Sequence, residues 1–453
     1  KPWRRWLFSM SKVIWALLFL LGTSSLWGQR YKEKHIRKDL EQLTGFENAF
    51  VGFALYDPVK DKMLATRYAD KHMTPASNTK LFTFSASQHY FKGALPALEY
   101  VVREDSLIFW STGYPLTLHP DHPDRTVIDF LSSQEQTLYY WPRPIADGRY
   151  GPGWSWDDYG GYYGAEKSAF PIYGSSIRFI IDNNSQSYQM EPEHPGLKVE
   201  ISPELSNRAR VRRDEFWNEF EIRFDSTPDP DEAIDTLVVP FRFSNQLFLE
   251  LLSQRIGKPI QKISSYQRPQ RVEILPGVEA DSLYQWMLQP SDNLFAESLL
   301  LMASGKLSDT LSTKALIQAE NERLKAMPDR EEKDELVWVD GSGLSRYNMF
   351  TPNQLISVLR SLYKENGEDL LFALLPQGGL SGTLKDWYAG EDEQPYVFAK
   401  TGTLSNNHTL SGYIKTKKGK TLIFSLMANH YTCSTEQIRK NFGVILEKIH
   451  EAY

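Results

Sequence analysis

The chain has 453 residues, 41% of them hydrophobic and 24% charged, with a formal net charge of -6. This is the composition of a globular protein of roughly two to three domains, or one large domain with insertions, and its acidic balance disfavours a nucleic-acid partner. The single cysteine, Cys433, excludes an internal disulfide. Thr432 and Ser434 beside it offer no base, so it reads as a small buried hydrophobe rather than a nucleophile.

In chain order, residues 1–28 read as an export signal. Lys1, Arg4, Arg5 and Lys12 precede the apolar run Val13 to Leu21, which is too short for a stable span, and small residues follow up to Gly28. An uncleaved signal anchor is the alternative; either places the bulk of the chain in the periplasm or another extracytoplasmic space, with peripheral membrane or envelope association. Ile36, Leu40 and Leu43 mark a short helix within 32–44. Ala49 to Tyr56 and Lys62 to Thr66 form a hairpin around Asp57-Pro58. Thr74 to Thr83 opens a helix, with Pro75 suited to its first turn. On that helix Ser77 and Lys80, three residues apart, share a face.

From about 96 to 270 the character changes. Strands at 107–110, 136–141 and 176–181 stand among Gly, Pro, Asp and Trp, as in Gly151-Pro152-Gly153-Trp154-Ser155-Trp156-Asp157-Asp158. This reads as a β-rich insertion of one or two domains. Helical spacing returns at Leu283, Trp286, Met287 and Leu288, breaks at Pro290-Ser291-Asp292-Asn293, and resumes over Leu294 to Met302. Helices follow at 313–326 and 352–363, strands at 396–400, 409–415 and 421–428, and a last helix at 434–450. The two N-terminal strands and the three C-terminal ones are expected to pair in one five-stranded antiparallel sheet flanked by helices, an α/β (α+β) fold. Its two parts would be 29–95 and 271–453, with the insertion between them.

Three short motifs stand in order: Ser77-Asn78-Thr79-Lys80, Ser291-Asp292-Asn293 and Lys400-Thr401-Gly402-Thr403. Each alone has an ordinary explanation, as a helix start, a capping turn or a solvated strand end. Together, at a helix start, an inter-helix loop and a strand edge, they form the set found in serine β-lactamases and penicillin-binding proteins. With Trp154 to Asp158, Val339-Asp340-Gly341-Ser342-Gly343-Leu344-Ser345 and Gly382-Thr383-Leu384, the chain resembles the penicillin-binding protein 4 type of D-alanyl-D-alanine carboxypeptidase/endopeptidase, the class C low-molecular-mass penicillin-binding proteins. The resemblance covers nearly all of the expected mature chain and implies their β-lactamase/transpeptidase-like fold. One departure lies at Ser111-Thr112-Gly113-Tyr114-Pro115, where the family usually has Gly-x-Gly-Asp-Pro.

The resemblance implies roles. Ser77 is the nucleophile and Lys80 its base, kept neutral with help from the like charge of Lys400. Ser291 relays the proton to the leaving amine and Asn293 holds the substrate amide. Thr401, Gly402 and Thr403 bind the terminal carboxylate with Lys400 supplying charge, and the backbone N–H groups of Ser77 and Thr403 form an oxyanion hole. Asp158 is expected to meet the free amine of a peptidoglycan side chain, with Trp154 and Trp156 shaping the entrance beside it; an exposed loop acid is an equal reading. The DGSGLS stretch reads as a structural turn near the site, because no base accompanies Ser342. The nine histidines show no metal-ligand spacing, so neither metal nor cofactor is expected. The implied partners are peptidoglycan peptides, with β-lactams as covalent inhibitors. The alternatives are a serine β-lactamase and a non-catalytic peptidoglycan-binding envelope protein.

Overall fold

The structure, a computed structural model, describes residues 31–229, 231–325, 336–390 and 394–453. The export segment 1–28 lies outside them. Among the described residues no helix is long and apolar enough to cross a membrane.

Two distant parts of the chain build one sheet. Its strands run in the order Val397–Leu404, Asn407–Lys415, Thr421–Asn429, Phe50–Asp57 and Lys62–Arg67, and every pair is antiparallel. The seam between the parts is the pairing of Phe50–Asp57 with Thr421–Asn429, where Ala54 faces Ser425. Both strands are largely apolar and, Phe50 apart, buried, because both faces of the sheet are covered. Val51, Phe53 and Leu55 share one face with Leu422, Phe424 and Leu426, and there they meet Ile438, Phe442 and Ile445 of the last helix, Thr435–Ala452. The helix Glu33–Gln42 adds Ile36 and Leu40 to the same layer. Ala54, Tyr56, Ile423 and Met427 point the other way, into the larger core that holds Leu81, Phe82 and Leu355. The period of two in these strands thus sorts their side chains between two helical layers.

The second layer carries the site. The helix Thr79–Tyr90 is fully buried over its first nine residues, so its mixed apolar sequence needs no polar face. Beside it runs Pro352–Leu374, opened by a capping box between Thr351 and Gln354 and interrupted at Gly367, where φ is 74°. The apolar periodicity ends near 363 but resumes beyond that glycine, which is why the helical segment outruns the expected 352–363. Gln88 and Asn366 exchange two amide hydrogen bonds of 2.9 and 3.1 Å and fasten the two helices together.

Among the described residues, the intervening segment forms three more sheets. A mixed five-stranded sheet contains Ala94–Arg103, Ser106–Ser111, Thr137–Tyr140, Ile260–Lys262 and Glu273–Glu279. The expected boundary at 95/96 therefore falls inside its first strand, and that at 270/271 just before its last. Two three-stranded sheets follow, one from Ser176–Asp182, Ser187–Glu191 and Ile234–Pro240, the other from Lys198–Ile201, Arg210–Arg213 and Glu219–Arg223. Two helices, Thr126–Ser133 and Asn245–Ile256, were not evident from sequence. The first begins Thr-Val-Ile, whose β-branched side chains read as strand until Val127, Ile128 and Leu131 are buried together on one side. At the departure noted above, Tyr114 is buried and acts as packing: its hydroxyl donates to Asp124 at 2.5 Å and accepts from Val278 N at 3.1 Å. Cys433 is half-buried rather than buried.

Because Phe424 lies at the seam of the sheet with no exposure, its loss opens a cavity between sheet and last helix. Phe424→Ala is expected to cost about 3–5 kcal/mol, read as a fall in the denaturant midpoint at unchanged slope.

Candidate active site

Ser77 does not sit on the α-helix itself. It lies in a single 3₁₀ turn, Ala76–Asn78, that leads into Thr79–Tyr90. The tighter turn starts from Ala76 at φ +46°, in the left-handed region. Such a residue costs on the order of 1–3 kcal/mol and persists only where its surroundings over-determine it. They do so here. Asn78 Nδ2 donates to Lys400 O at 2.8 Å, Thr409 Oγ1 donates to Pro75 O at 2.8 Å, and Thr79 Oγ1 donates to Ala76 O at 2.9 Å. Two glycines allow the close approach. A Cβ on Gly402 would lie 2.6 Å from Pro75 O and 2.8 Å from Ser77 N, and one on Gly343 would lie 1.9 Å from Ala76 O. The edge strand and the DGSGLS turn therefore press on the serine turn at distances no larger residue permits.

Lys80 is wholly buried while Ser77 is partly open to the cleft. Lys80 Nζ lies 2.7 Å from Asn293 Oδ1, 2.7 Å from Ser342 O and 2.9 Å from Ser77 Oγ. The first two partners only accept. A neutral amine has two N–H donors and one lone pair, so with both donors committed the lone pair faces the Ser77 hydroxyl. Burial pushes Lys80 down to about 8, against Asp292, Asp340 and Glu297, which pull it up. Desolvation is thus the first cause of the lowered Lys80 value, and the like-charge repulsion expected between Lys80 and Lys400 is present as well: burial and the charge of Lys80 push Lys400 well below the ordinary lysine value.

Asn293 and Ser291 flank the cap of helix Asn293–Ser304, where Asp292 accepts from Phe295 N at 2.8 Å. Asn293 Nδ2 donates to Tyr163 O at 2.9 Å, which commits one of its two N–H groups to the inserted segment. Ser291, at φ +68°, accepts a 2.8 Å bond from Lys400 Nζ, which also donates to Thr401 O at 2.8 Å. The Thr401 hydroxyl donates to Thr383 at 2.7 Å, and Thr403 Oγ1 lies 2.8 Å from His408 Nδ1. His408 is buried and pushed down to about 3 by that burial, so its ring is neutral. Sequence reasoning assigned neither Thr383 nor His408 a part. Thr383 belonged to a quoted motif, whereas His408 lies five residues beyond Thr403, across a strand turn that spacing alone does not pair.

The cleft runs along Ser77, Ser291, Asn293, Thr401 and Thr403. Asp158, Tyr162, Tyr163, Arg346, Leu404 and Arg439 also line it. Asp158 thus does face the site, in the short turn Trp156–Gly160, and accepts from the Tyr163 hydroxyl at 3.0 Å. The tryptophans were misassigned. Trp154 donates to Asp340 at 2.8 Å, Trp156 is 67% exposed, and the cleft is lined by Tyr162 and Tyr163 rather than by either tryptophan. His119 and His122 pack on Phe295, and His122 stacks on Trp286.

Residues 242–449 match the D-Ala-D-Ala carboxypeptidase 3 (S13) family. Penicillin-sensitive carboxypeptidase A of Dictyostelium discoideum is 24% identical over 63% of this chain and 59% of its own length. The D-alanyl-D-alanine carboxypeptidase DacB of Haemophilus influenzae is 28% identical over 38% of this chain and 36% of its own length. The chain therefore spans less than two thirds of these relatives. A D-alanyl-D-alanine carboxypeptidase of Actinomadura sp. is 24% identical over 88% of this chain and 81% of its own. In fold, the crystal structure of penicillin binding protein 4 from Haemophilus influenzae superposes with a TM-score of 0.71, covering 91% of this chain and 97% of that one at 20% identity. The chain resembles the penicillin-binding protein 4 type in both sequence and fold. The motif residues quoted for that resemblance, 214 positions apart along the chain between Ser77 and Ser291, converge on one cleft.

Gly402→Ala is expected to lower the rate of Ser77 modification by a penicillin probe by about 10²–10³, the loss typical of one displaced oxyanion-hole donor. Its added methyl must push the strand off Pro75 O and Ser77 N. A near wild-type rate at unchanged melting temperature would mean that the contact does not govern reactivity.

Proposed function

We propose that this chain is an exported serine D-alanyl-D-alanine carboxypeptidase and endopeptidase acting on peptidoglycan stem peptides and cross-links. The observation that carries the reading is the three-way contact of Lys80 Nζ, with two fixed acceptors and the lone pair at Ser77 Oγ. A lysine base buried beside a serine on a helix start has one evident use, acyl transfer.

In this reading Ser77 Oγ attacks the carbonyl carbon between two D-alanines and its proton passes to Lys80. The oxyanion faces the backbone N–H groups of Ser77 and Thr403. Collapse breaks the C–N bond, and the leaving amine takes a proton returned from Lys80 through the Ser291 hydroxyl. Water then attacks the ester and gives a proton to Lys80; the C–Oγ bond breaks, and Lys80 returns that proton to Ser77 Oγ, restoring the hydroxyl and the neutral amine. Thr401, Thr403 and Lys400 hold the terminal carboxylate. The Thr383 bond to Thr401 and the His408 bond to Thr403 fix both hydroxyls in place. β-Lactams would acylate the same serine and remain as covalent inhibitors.

Intact-mass analysis after penicillin treatment is expected to give one adduct, on the Ser77 peptide, absent in Ser77→Ala. An adduct on Ser291 or Ser342 overturns the assignment. A rapidly lost adduct with turnover of the drug supports the β-lactamase alternative, and the absence of any adduct supports a non-catalytic envelope protein.

We further propose that Asp158 meets the free side-chain amine of a stem peptide, because it lines the same cleft as Ser77 and is half-exposed. Asp158→Asn is expected to weaken kcat/KM for an amine-bearing peptide by about 1.5–3 kcal/mol, the worth of one charge-assisted hydrogen bond. The acetylated peptide and a small penicillin are expected to react as before; equal losses on both peptides remove Asp158 from recognition.

A further inference from the structure

Lys167 belongs to the inserted segment, its side chain is 2% exposed, and the reaction proposed above does not use it. Its Nζ lies 2.8 Å from Glu297 Oε2 and 3.3 Å from Asp147 Oδ2, with the Trp154 ring 5.8 Å away. Burial works against its charge, yet Glu297, Asp147 and Asp340 together hold the ammonium above its ordinary value.

Those carboxylates lead to the catalytic amine. Glu297 Oε1 accepts from Gly341 N at 3.0 Å and from Ser342 N at 2.8 Å. Asp340 accepts from Gly343 N at 2.8 Å and from Ser345 N at 2.7 Å. The turn pinned in this way aims Ser342 O at Lys80 Nζ, 2.7 Å away. The charges that face Lys80 are Asp292 and Glu297 at the start of helix Asn293–Ser304, Asp340 on the turn, and Lys400 on the edge strand. Three anions favour the ammonium form of Lys80, which cannot act as a base. Lys167 stands against two of them in a dry interior, where an unopposed charge acts most strongly.

We propose that Lys167 is a positioning residue for acylation: its buried ammonium offsets Glu297 and Asp340, leaving them to hold the Ser342 carbonyl on Lys80 while Lys80 stays free to lose its proton. The insertion is then electrically part of the catalytic centre. This inference rests on the acyl-enzyme reading above.

The test is the rate constant for acylation by benzylpenicillin, measured from about pH 6 to about pH 10, where the rising limb reports the base. In the wild-type protein the limb is expected near pH 8, the value to which burial lowers Lys80. Removing the Lys167 cation raises the affinity of Lys80 for its proton. Lys167→Met is therefore expected to move the limb about one unit to higher pH, with a roughly tenfold loss at pH 7. Glu297→Gln keeps an oxygen for Gly341 and Ser342 but removes an anion, so its limb is expected at lower pH. Lys167→Arg rescues the wild-type position, and Lys167→Met combined with Glu297→Gln returns close to it.

A merely structural role predicts lower plateaus with all limbs in the same place, and that result overturns the inference. If Lys167→Met does not fold, Glu297→Gln and the double variant still decide, since their limbs must lie below and near the wild-type limb. Absence of any wild-type acylation defeats the proposed function; acylation with coincident limbs defeats this inference alone.

Discussion

The site depends on holding one lysine amine out of water with only two fixed acceptors. Lys80 has no exposure, and Asn293 Oδ1 and Ser342 O each take one N–H. An ammonium in that position loses its hydration and gains one further partner, the Ser77 hydroxyl. The neutral amine loses less, and directs its lone pair where a base is needed. The geometry thus selects the protonation state, and each element around the cleft serves to maintain it. Asn293 is delivered by a capped helix, Ser342 by a turn whose amides are tied to Glu297 and Asp340, and Ser77 by a 3₁₀ turn clamped under the edge strand.

This dependence explains why the inserted segment cannot be regarded as an appendage. The Tyr163 carbonyl takes the Asn293 amide group, which fixes which atom of that side chain is left to accept from Lys80. Trp154 donates to Asp340, and Ser345 Oγ donates to Pro152 O at 2.6 Å, so the DGSGLS turn is held from the inserted side as well as from the helix. Removing the segment would free both acceptors of Lys80 to move, even though, among the described residues, none of its side chains hydrogen-bonds that amine.

The sequence made the motif residues legible because their signals are local. Ser77 and Lys80 sit at helical spacing, Ser291 to Asn293 is a helix-breaking cap, and Lys400 to Thr403 leads a strand. The antiparallel five-stranded sheet was equally readable, since its inner strands Phe50–Asp57 and Thr421–Asn429 are buried and rich in apolar residues. What remained hidden depends on contacts between remote segments. Nothing local to Trp154 tells whether it points to solvent, cleft or Asp340, 186 residues away. Lys167 reads as an ordinary surface lysine until Glu297 and Asp147 are brought against it, and Tyr162 and Tyr163 come to line the cleft only through the successive short turns Trp156–Gly160 and Tyr162–Gly164. The weight of desolvation at Lys80 and Lys400 was hidden for the same reason, because burial is a property of the assembled fold.

The costs stored at the site point to its location. Ala76 at +46° and Ser291 at +68° are backbone conformations that L residues avoid, and both stand beside a desolvated lysine. A loop on an open surface would relax each of them. Here the serine turn is pressed by Gly402 from the sheet edge and by Gly343 from the DGSGLS turn, while Ser291 is held by Lys400, whose backbone belongs to that same edge. The strain is therefore carried by the antiparallel sheet, which joins the two ends of the chain through the pairing of Phe50–Asp57 with Thr421–Asn429. That pairing contributes nothing to the chemistry directly. It sets the rigid edge against which a high-energy serine turn and a neutral lysine can be kept, and so the stability of a buried seam becomes the condition for reactivity in the cleft.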